Sequence, residues 1–262
     1  MRTQEPAVLV EKIDDYICIL LNNPEKHNAL NDKVKSDLLQ ALSAAKNDDS
    51  VRAVLLSGVG ESFCSGGDLS VLRQIDNPVV GKNHIRKVQE IVQLILELGK
   101  PVVAAVNGFA VGAGCNLSLA CDVVFATPET KFSEIFSNIG LIPDGGGLFL
   151  LPRLVGISKA KDLVFTGRYV YGQEAKELGL VTYLVNEGEL LDEAKSYMRR
   201  LTKKPPIALR YAKQILNRSL QLTLDDIFEH ESSLQGICLM TEDFAEGVRA
   251  FYEKDQPIFK GK

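Results

Sequence analysis

The chain has 262 residues, 45% hydrophobic and 24% charged, enough apolar material for one large domain or one domain plus an appendage. Its net charge of -4 argues against a general nucleic-acid binder, because neutralising phosphates needs a concentrated excess of Lys and Arg. Five cysteines (Cys18, Cys64, Cys115, Cys121, Cys238), odd in number and mostly among apolar neighbours, suit a reducing compartment better than a disulfide framework, and no apolar run reaches membrane-spanning length. The start "MRTQEPAVLVEKID" carries acids and strand-like alternation where a leader peptide would not, so the cytoplasm is the expected location, with no membrane partner.

In chain order, 7–12 and 16–21 read as a hairpin, and 32–47 as a helix behind an Asn31 cap, with Val34, Leu38, Ala41, Leu42 and Ala45 at helical spacing. The run 51–58 reads as a buried strand. Helical spacing returns over 84–98 through Ile85, Val88, Ile91, Val92 and Ile95. Residues 101–108 and 122–127 read as further buried strands, and 179–185 as another. Strands alternating with helices predict an α/β fold. From about Glu187 the extended runs stop, and three helical stretches follow, broken by Pro205, Pro206 and a turn near Thr223. The division expected is a core over 1–199 and a helical region over 200–262 that offers an assembly surface, since amphipathic helices outside a core need a cover.

Two glycine-rich turns follow strands and open apolar helices, "FCSGGDLS" at 63–70 and "NGFAVGAGCNLSLACD" at 107–122. Such turns let unpaired helix amides approach an anion or a polarised carbonyl, and two of them aimed at one oxygen would form an oxyanion hole. Tight strand-to-helix geometry alone also explains either one. "GAGCNL" with Glu134 about 20 residues on could be half of a dinucleotide fingerprint, but Leu117 stands where the third glycine belongs. In "GLIPDGGGLF", at 140–149, Asp144 is a carboxylate where backbone can close in on something small, or else a cap for the following helix. His27, His84 and His230 are far apart and the cysteines lack zinc spacing, so no metal is expected. Ser65 lacks the frame of a nucleophile elbow.

"GESFCSGGDLS", "KPVVAAVNGFAVGAGCNLSLACDVVFAT", "KFSEIFSNIGLIPDGGGLFLLPRLVG" and "LVFTGRYVYGQEAKELGLV" together resemble the enoyl-CoA hydratase/isomerase (crotonase) superfamily, as do "NNPEKHNAL" and the tail "FAEGVRAFYEKDQPIFKGK". The resemblance covers nearly the whole chain. It implies a crotonase (ClpP-like) fold of repeated ββα units, a helical C-terminal trimerisation region giving a trimer or hexamer, and acyl-CoA thioester substrates with no cofactor beyond the coenzyme A they carry. By position it implies oxyanion-hole amides at Gly67 and Ala113, the second usually a glycine in the family. It implies a CoA site at Lys26, His27, Asn28 and Ala29 and at Ser65, Asp68 and Leu69, with Lys260 reaching the phosphates from a neighbouring subunit. Asp68 is expected to serve turn geometry rather than catalysis.

The departures narrow the reaction. Where the family's hydratases carry two glutamates, this chain has Asn116 and Phe136; a phenyl ring cannot transfer a proton and an amide at best orients water. Asp144 stands where the isomerase branches carry a catalytic acid. One carboxylate suffices to move a proton along an allylic system, provided that the pocket raises its pKa, and Phe136, Ile139 and Leu141 are expected to desolvate it. The related dehalogenases need a histidine and a tryptophan, whereas this chain has Gln93 and no Trp. Glu134, two residues before Phe136 on an expected strand, should face the same side and could reach the pocket, although a surface or interface ion pair is the favoured reading. Asp122 is expected to cap or pair, and Asn116 either to bond Asp144 or a water or to be a buried helix amide satisfied by backbone. The expectation is an enoyl-CoA isomerase acting through Asp144. The alternatives are a hydratase using Asp144 with an Asn116-bound water, or a silent acyl-CoA or RNA binder, the acidic charge counting against RNA.

Overall fold

The computed structural model describes residues 6–262; the first five, part of the start read above as no leader, lie outside it. Its main sheet has six strands in the order β1-β2-β3-β4-β6-β9, where β1 is Val8–Ile13, β2 Tyr16–Leu21, β3 Ala53–Gly58, β4 Val102–Val106, β6 Val123–Ala126 and β9 Tyr183–Leu184. The β1–β2 hairpin is antiparallel and every later pairing parallel. Parallel strands covered on both faces must be apolar without interruption, which is how "AVLLSG" and "VVAAV" read. Strand alternation divides them: Val54, Leu56, Val102 and Ala104 join Val34, Leu38, Leu42, Ile91 and Ile95 on one face, while Leu55, Val103 and Ala105 meet Leu190, Ala194 and Met198 on the other.

Helix α1 (Asp32–Asn47) and helix α3 (Pro78–Glu97) cover the first face, with a short α2 (Leu69–Leu72) between them in sequence. The Asn31 side chain accepts from Val34 N at 2.9 Å, as the sequence predicts for a cap. Helix α3 begins six residues earlier than its apolar spacing indicates. Asn77 caps it and Pro78 opens it, while Val79 and Val80 face solvent, so the first turn carries no core stripe to read. Of the 179–185 strand only β9 forms, because Gly179 is spent ending α7 (Gly172–Leu178) in the left-handed conformation.

A smaller sheet, β5 (Phe109–Val111), β7 (Lys131–Ser133) and β8 (Val170–Tyr171), carries the residues of interest at its ends. Strand β5 leads into α4 (Ala113–Leu119). Strand β7 stops at Ser133 and the chain turns into a 3-10 helix over Ile135–Ile139, so Glu134 and Phe136 do not share a strand face as expected. Next come α5 (Gly147–Val155) and α6 (Ile157–Thr166).

The C-terminal part has four helices rather than three: α8 (Leu190–Leu201), α9 (Pro206–Leu216), α10 (Leu224–Leu239) and α11 (Glu242–Glu253). The unforeseen break is at Thr241, whose hydroxyl caps α11 by accepting from Phe244 N. Helix α8 belongs to the core, and α9 is tied to it by Lys213, which donates to the carbonyls of Ile95 and Lys100 and to the Asp122 carboxylate. Among the described residues no helix is long and apolar enough to cross a membrane.

Candidate active site

Three loops that are remote in sequence meet at the C-terminal ends of β2, β3 and β4. The turn after β2 is fastened to the loop after β3: Ser65 N donates to His27 O, Leu30 N to Gly66 O, and Ser65 Oγ to Lys26 O. Lys26 Nζ closes the same seam on Asp68 at 2.9 Å. Asp68 also caps α2, accepting from Ser70 N and Oγ, and these bonds, with Lys26, hold its carboxyl down to about 2. An acid fixed in its charged form with its oxygens engaged is a structural group. Asn28, fully buried, is also structural in its side chain, which binds Val59 O, Ser62 O and Asn23 N. What this seam leaves toward solvent is the Lys26 and His27 side chains, the exposed Leu69 and backbone.

The second loop is pressed against the third. Cys64 pairs with β5 through Val111 N and Phe109 O. A Cβ on Gly114 would sit 2.2 Å from Cys64 O, and one on Gly66, whose φ is +90°, would lie 3.3 Å from Ala113 N. Only glycine permits this approach. It brings the segment carrying Gly67 beside Ala113, the first residue of α4, and among the described residues neither amide donates to a protein acceptor. The ring of Phe136 backs Gly112 at the same corner, 3.6 Å from where a Cβ would stand, and Leu141 follows with its N–H on Phe136 O.

Asp144 lies in a further loop, between the 3-10 helix and α5, half-buried, with Oδ1 enclosed and without a protein partner. It does not cap α5, whose N-cap is Gly146. Burial pushes its carboxyl up to about 6, against the opposing charge of Lys35. The cover differs from expectation: Ile139 and Leu141 are themselves about half exposed, whereas Val88 and Val92 of α3 pack on the adjoining Gly145 and Gly146. Asn116, on α4, donates through Nδ2 to the backbone carbonyl of Asp144 at 2.9 Å, so it holds the loop rather than the carboxylate. The same Nδ2 reaches Glu134 Oε2 at 3.4 Å. Glu134 is 2% exposed and in no ion pair among the described residues, which overturns its expected surface role; burial raises it to about 7.

Two groups near Asp144 escape a reading by motif. Lys35 is fully buried, its Nζ 3.0 Å from Asp32 and 3.3 Å from both ring nitrogens of His84, and burial lowers both Lys35 and His84. Its signal was the position: Lys35, Leu38 and Leu42 stand on one helical face, where a lysine interrupts the core stripe. Lys260 lies against α11 with Glu246 and Arg249, its N–H on the Asp243 carboxylate. Among the described residues no group of three or more metal-ligating side chains converges.

Residues 13–262 match the family described as Enoyl-CoA hydratase/isomerase. The chain is 38% identical to the 1,2-epoxyphenylacetyl-CoA isomerase of Escherichia coli (strain K12), over 93% of this chain and 94% of that one. It is 35% identical to the short-chain-enoyl-CoA hydratase of Clostridium acetobutylicum, over 94% and 95%. Among solved structures, the enoyl-CoA hydratase from Bacillus anthracis superposes with a TM-score of 0.94 at 32% identity, covering 98% of this chain and 100% of that one. That from Polaromonas sp. JS666 gives 0.93 at 32%, over 97% and 99%. The whole architecture, C-terminal helices included, is thus the expected crotonase fold.

Proposed function

The chain belongs to the enoyl-CoA hydratase/isomerase family, and we propose that within it this is an enoyl-CoA isomerase whose single proton carrier is Asp144. The observation that carries the reading is the Asp144 carboxylate itself, with one enclosed oxygen free of protein partners and a pKa raised by burial to about 6. Asn116 and Phe136 stand at the other positions where a family hydratase would hold its acids. On a 3-enoyl thioester, Asp144 takes a proton from C2, the electron pair delocalises onto the thioester oxygen, and the proton returns at C4, leaving the double bond between C2 and C3. The Gly67 and Ala113 amides donate to that oxygen while it is negative. Each such donor is worth about 2.7–4 kcal/mol in sites of this kind. Raising the carboxyl toward neutrality narrows the mismatch with a carbon acid.

The Lys26–Asp68 seam supports a CoA site at Lys26, His27, Ala29, Ser65 and Leu69, with Asn28 and Asp68 shaping it from within. Helix α10 supports self-association, as a trimer or hexamer: it buries no residue in the single chain, and Leu224, Phe228 and Ile237 stand exposed with Met240 just beyond. Five free thiols, four of them buried, fit a reducing, cytoplasmic setting.

One observation favours hydration: Asn116 Oδ1 is buried without a partner and would accept from a water. Turnover of 3-enoyl-CoA and 2-enoyl-CoA in deuterated water, read by mass spectrometry for wild type and Asp144→Asn, separates the two. Isomerisation without added water, lost by roughly 10²–10⁴-fold in the variant, supports the isomerase. Accumulation of 3-hydroxyacyl-CoA, or normal turnover by the variant, refutes it.

A further inference from the structure

Glu134 is a carboxyl group that the proposed reaction leaves without a task, yet it touches the residue that holds the catalytic loop. Its Oε2 accepts from Asn116 Nδ2, and Asn116 Nδ2 also donates to Asp144 O. Its Oε1 is enclosed without a partner. The titratable groups facing it are the Cys115 thiol, from the α4 helix that begins at Ala113, and the Asp144 carboxylate. The cation whose charge reaches Asp144 is Lys35 from α1, which contacts His84 from α3 and Asp32, the latter also paired with Lys87; among the described residues no cation forms an ion pair with Glu134.

We propose that Glu134 is a positioning residue that must be neutral for turnover: as the acid it accepts from Asn116 and steadies it on the Asp144 loop, and as the carboxylate it sets a second negative charge behind the site where the enolate forms. This rests on the isomerase reading above. The physical reason is the absence of compensation. A carboxylate sealed from water beside another carboxylate destabilises further negative charge nearby, and the enolate is such a charge. The two carboxyls titrate as a pair, and because Glu134 is the more deeply buried, Asp144 ionises first; the active form, Asp144 ionised and Glu134 protonated, lies between the two steps.

The test is the pH dependence of kcat and kcat/KM for 3-enoyl-CoA isomerisation by wild type, Glu134→Gln and Glu134→Leu. The glutamine keeps an acceptor for Asn116 and cannot ionise, so the alkaline limb moves up by more than about one pH unit. The leucine also abolishes that limb, but loses the hold on Asn116, and its kcat falls about tenfold or more at every pH with KM little changed. An alkaline limb retained in Glu134→Gln, or Gln and Leu variants impaired alike, overturns the proposal. A readout independent of activity keeps its failure apart from that of the isomerase reading: thermal denaturation against pH. Glu134→Gln gains on wild type as pH rises from about 4.5 to 7 and keeps that gain above 7 if the buried carboxyl titrates there, and parallel curves across that range overturn the proposal whatever reaction the enzyme performs.

Discussion

Replacing Lys213 by alanine tests whether the C-terminal helices are a separate unit or part of the core. Lys213, on α9, is almost buried, and its ammonium donates to Ile95 O at 2.8 Å, Lys100 O at 3.1 Å and Asp122 Oδ2 at 2.7 Å. The same Asp122 oxygen accepts from Val102 N at 2.7 Å, so the pair joins the first residue of β4 to α9. Alanine leaves two carbonyls and a carboxylate without their donor. Breaking a buried pair in this way costs about 3–5 kcal/mol, and the lower end applies because the Asp122 side chain retains 23% exposure. At about 2–4 °C per kcal/mol for a chain of this size, the melting temperature falls by about 6–12 °C. Urea unfolding and calorimetry at fixed protomer concentration measure this, the fixed concentration removing any contribution of assembly. Asp122→Asn, which keeps acceptors for Val102 and Lys213, costs less than the alanine. A loss below about 1 kcal/mol for Lys213→Ala, or an Asn variant more damaged than it, would refute the reasoning and leave α9 docked by apolar contact alone.

In the proposed isomerisation, proton abstraction requires ionised Asp144, so kcat/KM is expected to rise as pH rises through about 6; Lys35 opposes the burial that lifts this carboxyl, so Lys35→Met moves the acid limb to higher pH, and an unmoved limb would sever the link between the two residues. Gly147→Ala places a methyl carbon 2.4 Å from Asn116 Nδ2 and 2.5 Å from its Oδ1, forcing that amide off the Asp144 carbonyl. The expected result is a stability loss of about 1–3 kcal/mol with a disproportionate fall in kcat, whereas unchanged kinetics would show that Asn116 does not position the loop. Glutamate at both Phe228 and Met240 puts charge on the uncovered side of α10, and light scattering is expected to find a smaller assembly than for wild type; equal masses would show that another face carries the contact. Because ionising Glu134 is opposed by burial, its folded pKa of about 7 lies above the ordinary 4.5. The folded state therefore binds more protons between those values, and this group's contribution to stability declines as pH rises from about 4.5 to 7. The penalty above 7 is about 3 kcal/mol in order of magnitude, and Glu134→Gln removes it.

What could be read from the sequence were features whose cause is local. An Asn followed by a 3.6-residue stripe fixed α1 to the residue, and unbroken apolar runs located the buried parallel strands, because capping and two-sided burial act on neighbouring positions. The two glycine turns and Asp144 also stood out, since close backbone approach leaves a compositional mark. Where the stripe was missing the boundaries slipped, as at Pro78 and Thr241, where a cap alone sets the helix start. The electrostatics of the site had no such mark. That Lys35 is sealed against His84, that Asn116 grips the backbone of Asp144 instead of its carboxylate, and that Glu134 is buried rather than paired depend on α1, α3, α4 and the loops around them converging from positions as far apart in sequence as Lys35 and Asp144. A sequence determines which groups are present and which face of an element each occupies; only the tertiary packing decides which of them lose their water, and in this protein the loss of water sets the charge on the carboxyls around Asp144.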